Sequence, residues 1–494
     1  MGNRRVFHVI MLLALFAAAC TSAREQAGEP LADATQATTA VDPTIATTTS
    51  SEPPATTASP PTSRFPPGLQ LNVAYMADTE GLENIIELTP EFFTGTTGVN
   101  VEFIEATPEM LRDLTTRHWG ERVRPDVFAI HSFEAPLFGA NAWIPDLTEL
   151  AAGSDYNIDD VLGPVRSAFS TRGELYALPF HAESSTLMFN QAVMNAAGIA
   201  VPDEPTWDDV HEIAAAVHTT DVAGICLNGT AGWAELGASL TTIVNTFGGT
   251  WWESNQDGSI GEAQINQAGS GFRAATEFYV ELAQNYGVSD PATANFDRCL
   301  DEFQGGKVAM WYGSTRATRI LEADDSPVAG NVGYAFAPTN LTNASSSLSA
   351  WGFTTIRHAP TQTDIEEFVQ WDAAREFILW ATSPEFAQLA AENLPDGWAD
   401  APQGTRQSTY ENPAYLDANQ PYAETVLGAI TTAPLHNPGT TPRPGIGGVQ
   451  YVGVPEFQHV SAECSEQISL AISREQAVDT ALDACQKVAT EFTS

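Results

Sequence analysis

The pattern of apolar and polar positions predicts an open α/β sheet that begins near residue 69. Residues 69–74 (LQLNVA) and 99–104 (VNVEFI) alternate as strands do, and the apolar run 126–130 (DVFAI) is typical of a buried strand. Amphipathic segments over 80–93 and 108–119 predict the helices between these strands. This βαβαβ order is typical of a sheet that binds ligands at the carboxyl ends of its strands.

The remainder of the chain continues to alternate between predicted helices and strands, without an internal repeat. Thr206 is the predicted N-cap of one helix. The other predicted elements cover 186–190, 191–197, 233–247, 268–285, 298–304, 308–312, 332–335, 364–382, 384–393 and 475–492. This folded part has about 427 residues, more than one hydrophobic core usually supports, so two lobes are expected.

The first 67 residues differ from the rest and predict an export signal followed by a tether. Arg4 and Arg5 precede an apolar run, Val6–Ala19, that is shorter than a membrane span. Ala17–Cys20 resembles a bacterial lipobox, which makes Cys20 the expected lipid anchor on the outer face of the cell membrane. An ordinary secretory signal peptide is the alternative. Residues 21–67, rich in Thr, Ala, Ser and Pro, are predicted to be disordered.

The charge of the chain excludes some partners. The formal net charge is −41, from 62 acidic and 21 basic residues. Such a surface repels nucleic acid and anionic lipid, so the expected ligand is uncharged or cationic.

Four cysteines besides Cys20 fit an oxidising compartment outside the cytoplasm. Three pairings are possible, and we favour Cys226–Cys299 with Cys464–Cys485, because each pair then stays within one predicted region. No CxxC, HxxxH or HxH pattern occurs. The sequence therefore predicts neither a transition-metal site nor a cofactor.

Several segments resemble one known family in consecutive order. The segments are PDVFAIHSFEAPLFGANAWIPDLTEL (125–150), GELYALPFHAESSTLMFNQAVMNAAGI (173–199), FQGGKVAMW (303–311) and REFILWATSPE (375–385). They resemble the extracellular solute-binding proteins of sugar-type ABC importers. The resemblance implies a two-lobed α/β clamshell of the periplasmic-binding-protein type (type II), a ligand cleft between the lobes, and a permease as partner.

Further segments resemble the polyol-binding branch of that family, whose members serve sorbitol and mannitol import. They are GICLNGTAGWAE (224–235), GTRQSTYENPAY (404–415) and GGVQYVGVPEFQ (447–458). Two positions depart from that branch. Gly313 stands where these members usually carry Asp, and SSSLSAWGF (345–353) keeps only Trp351 of a Trp-rich segment. The expected cargo is therefore a sugar alcohol or a sugar.

The resemblance also implies lobe boundaries. Lobe 1 is expected to hold residues 68–178 and about 338–385, and lobe 2 about 179–337 and 386–494. Crossings between the lobes are expected near 176–181, 336–345 and 384–390. The protein is expected to be a monomer and not an enzyme. An exported glycosidase and a tethered lectin-like module remain the alternatives, although no acid pair, nucleophile elbow or phosphate loop stands out.

A polyol needs carboxylates, amides and arginine around its hydroxyls and aromatic faces against its carbon chain. Residues of these types occur at predicted strand ends and in the resembling segments. The candidates are Asp78, Glu105, Phe133, Glu134, His181, Glu183, Trp233, Glu235, Trp311, Tyr312, Trp351 and Arg406. For the aromatic residues the alternative is core packing, for the acids a cap or an ion pair, for His181 a hinge hydrogen bond, and for Arg406 a salt bridge.

Overall fold

A computed structural model describes most of the chain after the predicted tether. The described residues are 64–77, 79–107, 110, 113, 124–153, 156–255, 260–342, 344–355, 365–433 and 457–492. Cys20, Asp78, most of the predicted helix 108–119 and most of the segment 447–458 lie outside this part of the chain.

Among the described residues, eight strands form one sheet and two short hairpins lie outside it. The strands are β1 Gln70–Tyr75, β2 Asn100–Glu105, β3 Val127–His131, β4 Ser170–Thr171, β5 Glu174–Leu175, β6 Leu178–Asn190, β7 Ala223–Cys226, β8 Trp252–Ser254, β9 Ile260–Ala263, β10 Val308–Ser314, β11 Val332–Phe336 and β12 Leu348–Thr355. The order in the large sheet is β2-β1-β3-β12-β6-β10-β7, and β11 also pairs with β6. β1, β2 and β3 are parallel, as the βαβαβ pattern predicts.

The 13-residue strand β6 belongs to both halves of the sheet. Its first part, from Leu178 to Ser184, pairs antiparallel with β12. Its second part, from Ser185 to Asn190, pairs with β10 and β11. One strand therefore connects the two halves directly.

Buried apolar side chains form one large cluster on each side of this connection. The first cluster, here lobe 1, takes residues from Phe65 to Ala182 and from Leu348 to Ala433. The second, with a smaller adjoining cluster, is lobe 2 and takes residues from Leu187 to Ala337 and from Phe457 to Ala489. The chain passes between the lobes within β6 and again between Ala337 and Leu348.

Two predicted boundaries need correction. Residues 386–433 were assigned to lobe 2, but Phe386, Tyr415 and Ile430 pack in the cluster of lobe 1. No crossing therefore occurs near 384–390, because the helices on both sides of that point pack in one core. The predicted tether is also too long at its end. Phe65 is buried in lobe 1, and Arg64 forms ion pairs with Asp372 and Glu376.

Helices cover the sheet. They are α1 Glu83–Leu88, α2 Gly95–Thr97, α3 Ala135–Ala140, α4 Thr148–Ala151, α5 Gly163–Ala168, α6 Gln191–Ala197, α7 Trp207–Val217, α8 Ala238–Thr246, α9 Gly271–Tyr286, α10 Phe296–Gln304, α11 Ala317–Glu322, α12 Ile365–Ala381, α13 Pro384–Asn393, α14 Gln407–Glu411, α15 Pro413–Ala418, α16 Ala423–Thr432, α17 Phe457–Ile472 and α18 Val478–Glu491. Within the described part of the chain, no helix has the length and apolar character needed to cross a membrane.

Local signals set several of these helix ends. Thr206 and Asp209 form a reciprocal capping box at the start of α7. Gly198 ends α6 in the left-handed region, with φ at 69°. The helix expected over 80–93 instead changes after Leu88 into a π-helical turn, Thr89–Thr94. Pro90 lies in this turn and has no N–H for an α-helical hydrogen bond.

Both disulfides of the structure lie in lobe 2. Cys226–Cys299 joins β7 to α10, and Cys464–Cys485 joins α17 to α18. These are the pairs that the sequence favours over the two other possible pairings. Each bond links neighbouring elements of one core.

Candidate functional site

The register of three neighbouring strands places His131, Trp351 and His181 side by side. Trp351 of β12 is opposite His131 of β3 and opposite His181 of β6. Directly opposed residues of antiparallel strands share one face of the sheet. The rings of His131 and Trp351 touch edge to face, with centroids 4.8 Å apart. The three side chains form a continuous row at the edge where the lobes meet.

The hydrogen bonds of His131 fix its tautomer. Its Nδ1 accepts a bond from the backbone N–H of Phe133 at 3.1 Å, and its Nε2 lies 3.0 Å from the Ser349 hydroxyl. Burial, and to a smaller extent the charge of His181, lowers the pKa of His131 to about 3. His131 is therefore neutral at pH 7, with its proton on Nε2. Phe133 and Glu134, which follow this strand end, were predicted as site residues, whereas His131 was not.

An aromatic contact connects the lobes at the end of this row. Phe133 stacks on His131 at 4.4 Å and packs in lobe 1. Its ring also meets Trp233 edge to face at 5.5 Å. Trp233 starts a π-helical turn, Trp233–Gly237, that leads into α8 of lobe 2. Phe133 and Trp233, both predicted from the sequence, thus come together from different lobes.

Charged side chains lie beside the aromatic row. Glu80, from the loop after β1, forms an ion pair with Arg316 at the start of α11. The Nε2 of His181 lies 3.7 Å from the Oε2 of Glu80. Glu183 accepts a hydrogen bond from the Ser314 hydroxyl. His181 and Glu183 were predicted from the sequence, whereas Glu80 and Arg316 were not.

The protonation of these groups follows from their burial. Burial and the neighbouring carboxyl of Glu183 raise the pKa of Glu80 to about 9, although Arg316 opposes the shift. Burial lowers the pKa of His181 below its ordinary value. At neutral pH the group thus contains one cation, Arg316, and less than the full negative charge of two carboxylates. Such a set suits an uncharged ligand.

A cavity of 1080 Å³ extends from this charged group between the two lobes. Glu80 and His181 line it from lobe 1, and Phe296 and Arg316 line it from lobe 2. The Arg316 guanidinium lies over the Phe296 ring at 3.7 Å. Further along the cavity, Arg319 forms an ion pair with Asp400 of lobe 1. The arrangement offers aromatic faces, carboxylates and guanidinium groups to a ligand that contacts both lobes.

Two predicted aromatic residues are part of the core of lobe 2. Trp311 is 2 % exposed and packs against Phe296 and Phe303 at 5.2 and 6.3 Å. The Tyr312 hydroxyl bonds with Thr242 at 2.8 Å and donates to the Ser345 carbonyl. Core packing, the alternative reading, therefore describes both residues. Trp311 contributes to the site indirectly, because it packs against the Phe296 ring over which the Arg316 guanidinium lies.

Arg406, also a predicted site residue, is buried in lobe 1. Its side chain is 3 % exposed and forms an ion pair with Asp160 at 3.1 Å. Its Nε and one Nη donate to the Thr382 carbonyl, and the other Nη also donates to Asn157. Four of its five donors are thus used inside lobe 1. The salt bridge given as the alternative for Arg406 is present in the structure.

The remaining predicted residues lie at the margin of the group or outside the described residues. Glu134 is half-buried at the N-cap of α3, one residue after Phe133. Glu235 accepts a bond from Asn228 at 2.7 Å, close in sequence to Trp233. Glu105 is exposed at the end of β2, the edge strand of lobe 1. Asp78 precedes Glu80 by two residues and is outside the described part.

Comparisons with known proteins agree on one family. A family model described as bacterial extracellular solute-binding protein matches residues 74–388. The curated mannitol-binding protein of Pseudomonas aeruginosa is 34 % identical over 365 residues, covering 73 % of this chain and 79 % of the relative.

Solved structures agree in fold. An ABC transporter solute-binding protein from Agrobacterium vitis S4, with bound D-mannitol, matches with a TM-score of 0.73 and 34 % identity, covering 86 % of this chain and 98 % of that chain. A solute-binding protein from Agrobacterium radiobacter K84 in complex with ribitol matches at 0.69 and 19 % identity, with coverages of 86 % and 99 %. At 19 % identity the second match bears on the fold alone. It supports the two-lobed α/β architecture described above.

Proposed function

The chain belongs to the bacterial extracellular solute-binding proteins, and from this premise we propose that it is the receptor of an ABC importer for a sugar alcohol such as mannitol. The observation that carries the proposal is the meeting of Phe133 and Trp233 from opposite lobes beside the row of His131, Trp351 and His181. Two relatives at 34 % identity, one curated and one solved with its ligand, are a mannitol-binding protein and a complex with D-mannitol.

The chemistry of the cleft fits a linear polyol. The aromatic rings of Phe133 and Trp233 provide apolar faces for the C–H side of the carbon chain. Glu183, His181 and Arg316 provide acceptors and donors for the hydroxyls on the other side. Because the ligand touches both lobes, its binding energy favours the closed form over the open form.

The closed receptor then docks on membrane permease subunits, which complete the importer. We assign the hinge to the two described passages between lobes, within β6 and between Ala337 and Leu348. We also propose that the folded part is a monomer, that Cys20 carries the lipid anchor, and that the residues between Cys20 and Arg64 are the tether. This arrangement keeps the receptor on the outer face of the membrane.

Isothermal titration of the mature protein tests the proposal. Mannitol, sorbitol, ribitol, xylitol, glucose and maltose are titrated under the same conditions. Mannitol is expected to bind with a Kd in the micromolar range, equivalent to about −8 kcal/mol. Binding of a sugar with no response to any polyol would contradict the polyol assignment and leave the family assignment intact. Small-angle scattering with mannitol is expected to show a smaller radius of gyration.

A turnover test addresses the glycosidase alternative. Glu80 and Glu183 both come from lobe 1, whereas a glycosidase needs two carboxylates that flank the scissile bond. Mannitol and a panel of aryl glycosides are incubated with the protein for a day and analysed by mass spectrometry. We expect every compound to be recovered unchanged. Release of an aglycone at a rate that scales with protein concentration would establish an enzyme.

A further inference from the structure

Three side chains that can bind a metal ion meet on the lobe 1 wall of the cleft. Glu80, His181 and Glu183 each offer one donor atom, and the three atoms lie within 4.8 Å of one another. His181 and Glu183 project from β6, and Glu80 comes from the loop after β1, about one hundred residues earlier in the chain. The close ligand spacings sought in the sequence could not reveal a group assembled from two distant segments.

Two of these donor atoms are buried and have no hydrogen bond. Within the described ranges of the chain, Glu80 Oε2 and His181 Nε2 make none. His181 is 8 % exposed, and its Nε2 points toward Glu80 across a gap of 3.7 Å. Gly81, at a φ of 74°, makes room for the ring, because a Cβ there would lie 2.9 Å from the His181 Cβ. The imidazole is thus held in place by the backbone and directed at the carboxylate.

One cation, Arg316, lies beside the two carboxyl groups of this cluster. Arg316 pairs with Glu80 Oε1 and compensates one carboxylate. Glu183 accepts a hydrogen bond from the Ser314 hydroxyl. Two carboxylates so close together are unfavourable unless a proton or a cation lies between them. A cation at this position would also bind His181 Nε2. A proton shared by the two carboxyl groups would leave that nitrogen without a partner.

We propose that Glu80, His181 and Glu183 bind a divalent transition-metal ion, with Zn²⁺ as the ion that best fits the donors. One imidazole and two carboxylates form a mixed nitrogen and oxygen set of the kind that Zn²⁺ accepts. Metal–ligand bonds of about 2.1 Å place tetrahedral donors roughly 3.4 Å apart. The gap between His181 and Glu80 is already close to this value. The donor atom of Glu183 lies within 4.8 Å of the other two.

The fourth coordination position faces the cavity, because Glu80 and His181 both line it. A hydroxyl of the sugar alcohol would occupy this position, so the ion would join lobe 1 to the ligand. This last step rests on the proposed function, whereas binding of the ion to the protein does not. The proposal therefore requires separate tests of metal binding and of polyol binding.

The metal test uses the mature protein after treatment with EDTA and dialysis. Titration with ZnCl₂ is expected to show one site with a Kd below about 10 μM. Ca²⁺ and Mn²⁺ are titrated in parallel, and stronger binding of Ca²⁺ than of Zn²⁺ would overturn the choice of a transition metal. Absence of stoichiometric Zn²⁺ binding would overturn the proposed site.

Variants locate the ion. His181→Gln and Glu183→Gln are each expected to weaken Zn²⁺ binding at least tenfold. The matched control is His211→Gln, which removes a histidine paired with Glu281 at 3.1 Å on the surface of lobe 2. It is expected to leave Zn²⁺ binding unchanged. Undiminished binding in both cluster variants, or a loss in the control, would overturn the assignment.

A spectroscopic measurement covers the case in which a variant fails to fold. Co²⁺ added to the EDTA-treated wild-type protein is expected to give visible absorption bands of four- or five-coordinate Co²⁺, which ZnCl₂ then abolishes. A spectrum that stays that of aqueous Co²⁺ would overturn the proposal without any variant.

Mannitol is then titrated with EDTA and, separately, with Zn²⁺ present, and at least tenfold tighter binding with Zn²⁺ is expected. Equal mannitol affinity in both conditions would overturn the coordination of the ligand and preserve the proposed function. Zn²⁺ binding without any polyol binding would preserve the metal site and contradict the proposed function.

Discussion

At the scale of single residues, Arg316 and Arg406 show how burial and partners decide whether a guanidinium reaches a ligand. Arg316 is 31 % exposed and lies on the cavity wall, where Glu80 and Phe296 orient it. Arg406 is 3 % exposed and is enclosed by Asp160, the Thr382 carbonyl and the ring of Tyr156. Basic residues are few in this chain and acidic residues are many. Of these two arginines, Arg316 lies on the cavity wall, where a ligand can contact it, and Arg406 does not.

Replacing Arg406 with alanine is expected to destabilise the protein without changing its affinity for mannitol. The change leaves Asp160, which is 7 % exposed, without its cation in the core of lobe 1. Loss of one partner from a buried ion pair costs about 3–5 kcal/mol. Denaturant unfolding measures the loss, and the double variant Arg406→Met with Asp160→Asn is expected to recover part of it. A tenfold loss of mannitol affinity at unchanged stability would return Arg406 to the binding site.

Trp233→Ala is expected to weaken mannitol binding at least tenfold while changing the melting temperature little. The tryptophan is half-buried, and its ring contributes the lobe 2 side of the aromatic contact with Phe133. The matched control is Trp143→Ala, which removes another half-buried tryptophan that meets Phe138 edge to face at 5.1 Å. Calorimetric titration is the measurement. Equal losses in the two variants would show that Trp233 contributes no specific ligand contact.

His131 predicts a component of the pH dependence of stability. Its pKa is about 3 in the folded protein and about 6.5 in the unfolded chain, so below pH 6.5 the unfolded state binds a proton that the folded state does not. The contribution of His131 is complete above pH 6.5 and decreases by about 1.4 kcal/mol per pH unit toward pH 3. His181, which faces this site, and the carboxyl groups add their own titrations.

The comparison of His131→Gln with the wild-type protein isolates that component. Glutamine can accept from the Phe133 N–H and donate to Ser349 but does not titrate. Between pH 6.5 and pH 5, the unfolding free energy of the wild-type protein is expected to decrease by about 2 kcal/mol more than that of the variant. Parallel stability curves over this range would show that His131 is not the group responsible.

At the scale of elements, the sequence predicted what depends on local pattern. Alternating apolar and polar positions predicted the parallel strands β1 to β3. The N-cap residue Thr206 predicted the start of α7, and Pro384 marks the start of α13. The single long strand β6 was not predicted, because it is buried on both faces for most of its length and shows no alternation. The pairing of Glu80 with Arg316 could not be predicted, because 236 residues separate them and only the lobe packing joins them.

The disulfide between α17 and α18 is expected to make a measurable contribution to the free energy of unfolding. Cys464 and Cys485 are separated by 21 residues, and a loop of this size corresponds to a stabilisation of about 3 kcal/mol. The double variant Cys464→Ala with Cys485→Ala is expected to lose about that amount in denaturant unfolding. Its mannitol affinity is expected to stay the same, because the bond lies in the core of lobe 2. A loss of affinity with unchanged stability would contradict this role.

At the scale of the whole molecule, ion pairs and aromatic contacts join two lobes that share one strand. Arg316 with Glu80 and Arg319 with Asp400 connect lobe 2 to lobe 1 along the cavity. The formal net charge is −41, and the cavity is also lined by more acidic than basic residues, with Arg316 and Arg319 as its cations.

The anchor proposal is tested on cells that express the whole chain. Wild-type protein is expected in the membrane fraction, with a mass increase on Cys20 that corresponds to acyl chains. Cys20→Ser is expected to release most of the protein from the membrane fraction, because one lipidated residue provides the attachment. A wild-type protein that is recovered without acyl chains and with a signal cleaved elsewhere would show an ordinary secretory peptide.

The position of β12 has a consequence for the time at which the protein can fold. β12 consists of residues 348–355 and lies between β3 and β6, which are made much earlier. A nascent chain shorter than about 355 residues therefore lacks the strand that joins these two, and lobe 1 also needs residues up to Ala433. Folding is delayed until most of the chain has been synthesised. An exported protein benefits from this delay, because an unfolded chain can be threaded through a narrow translocation channel.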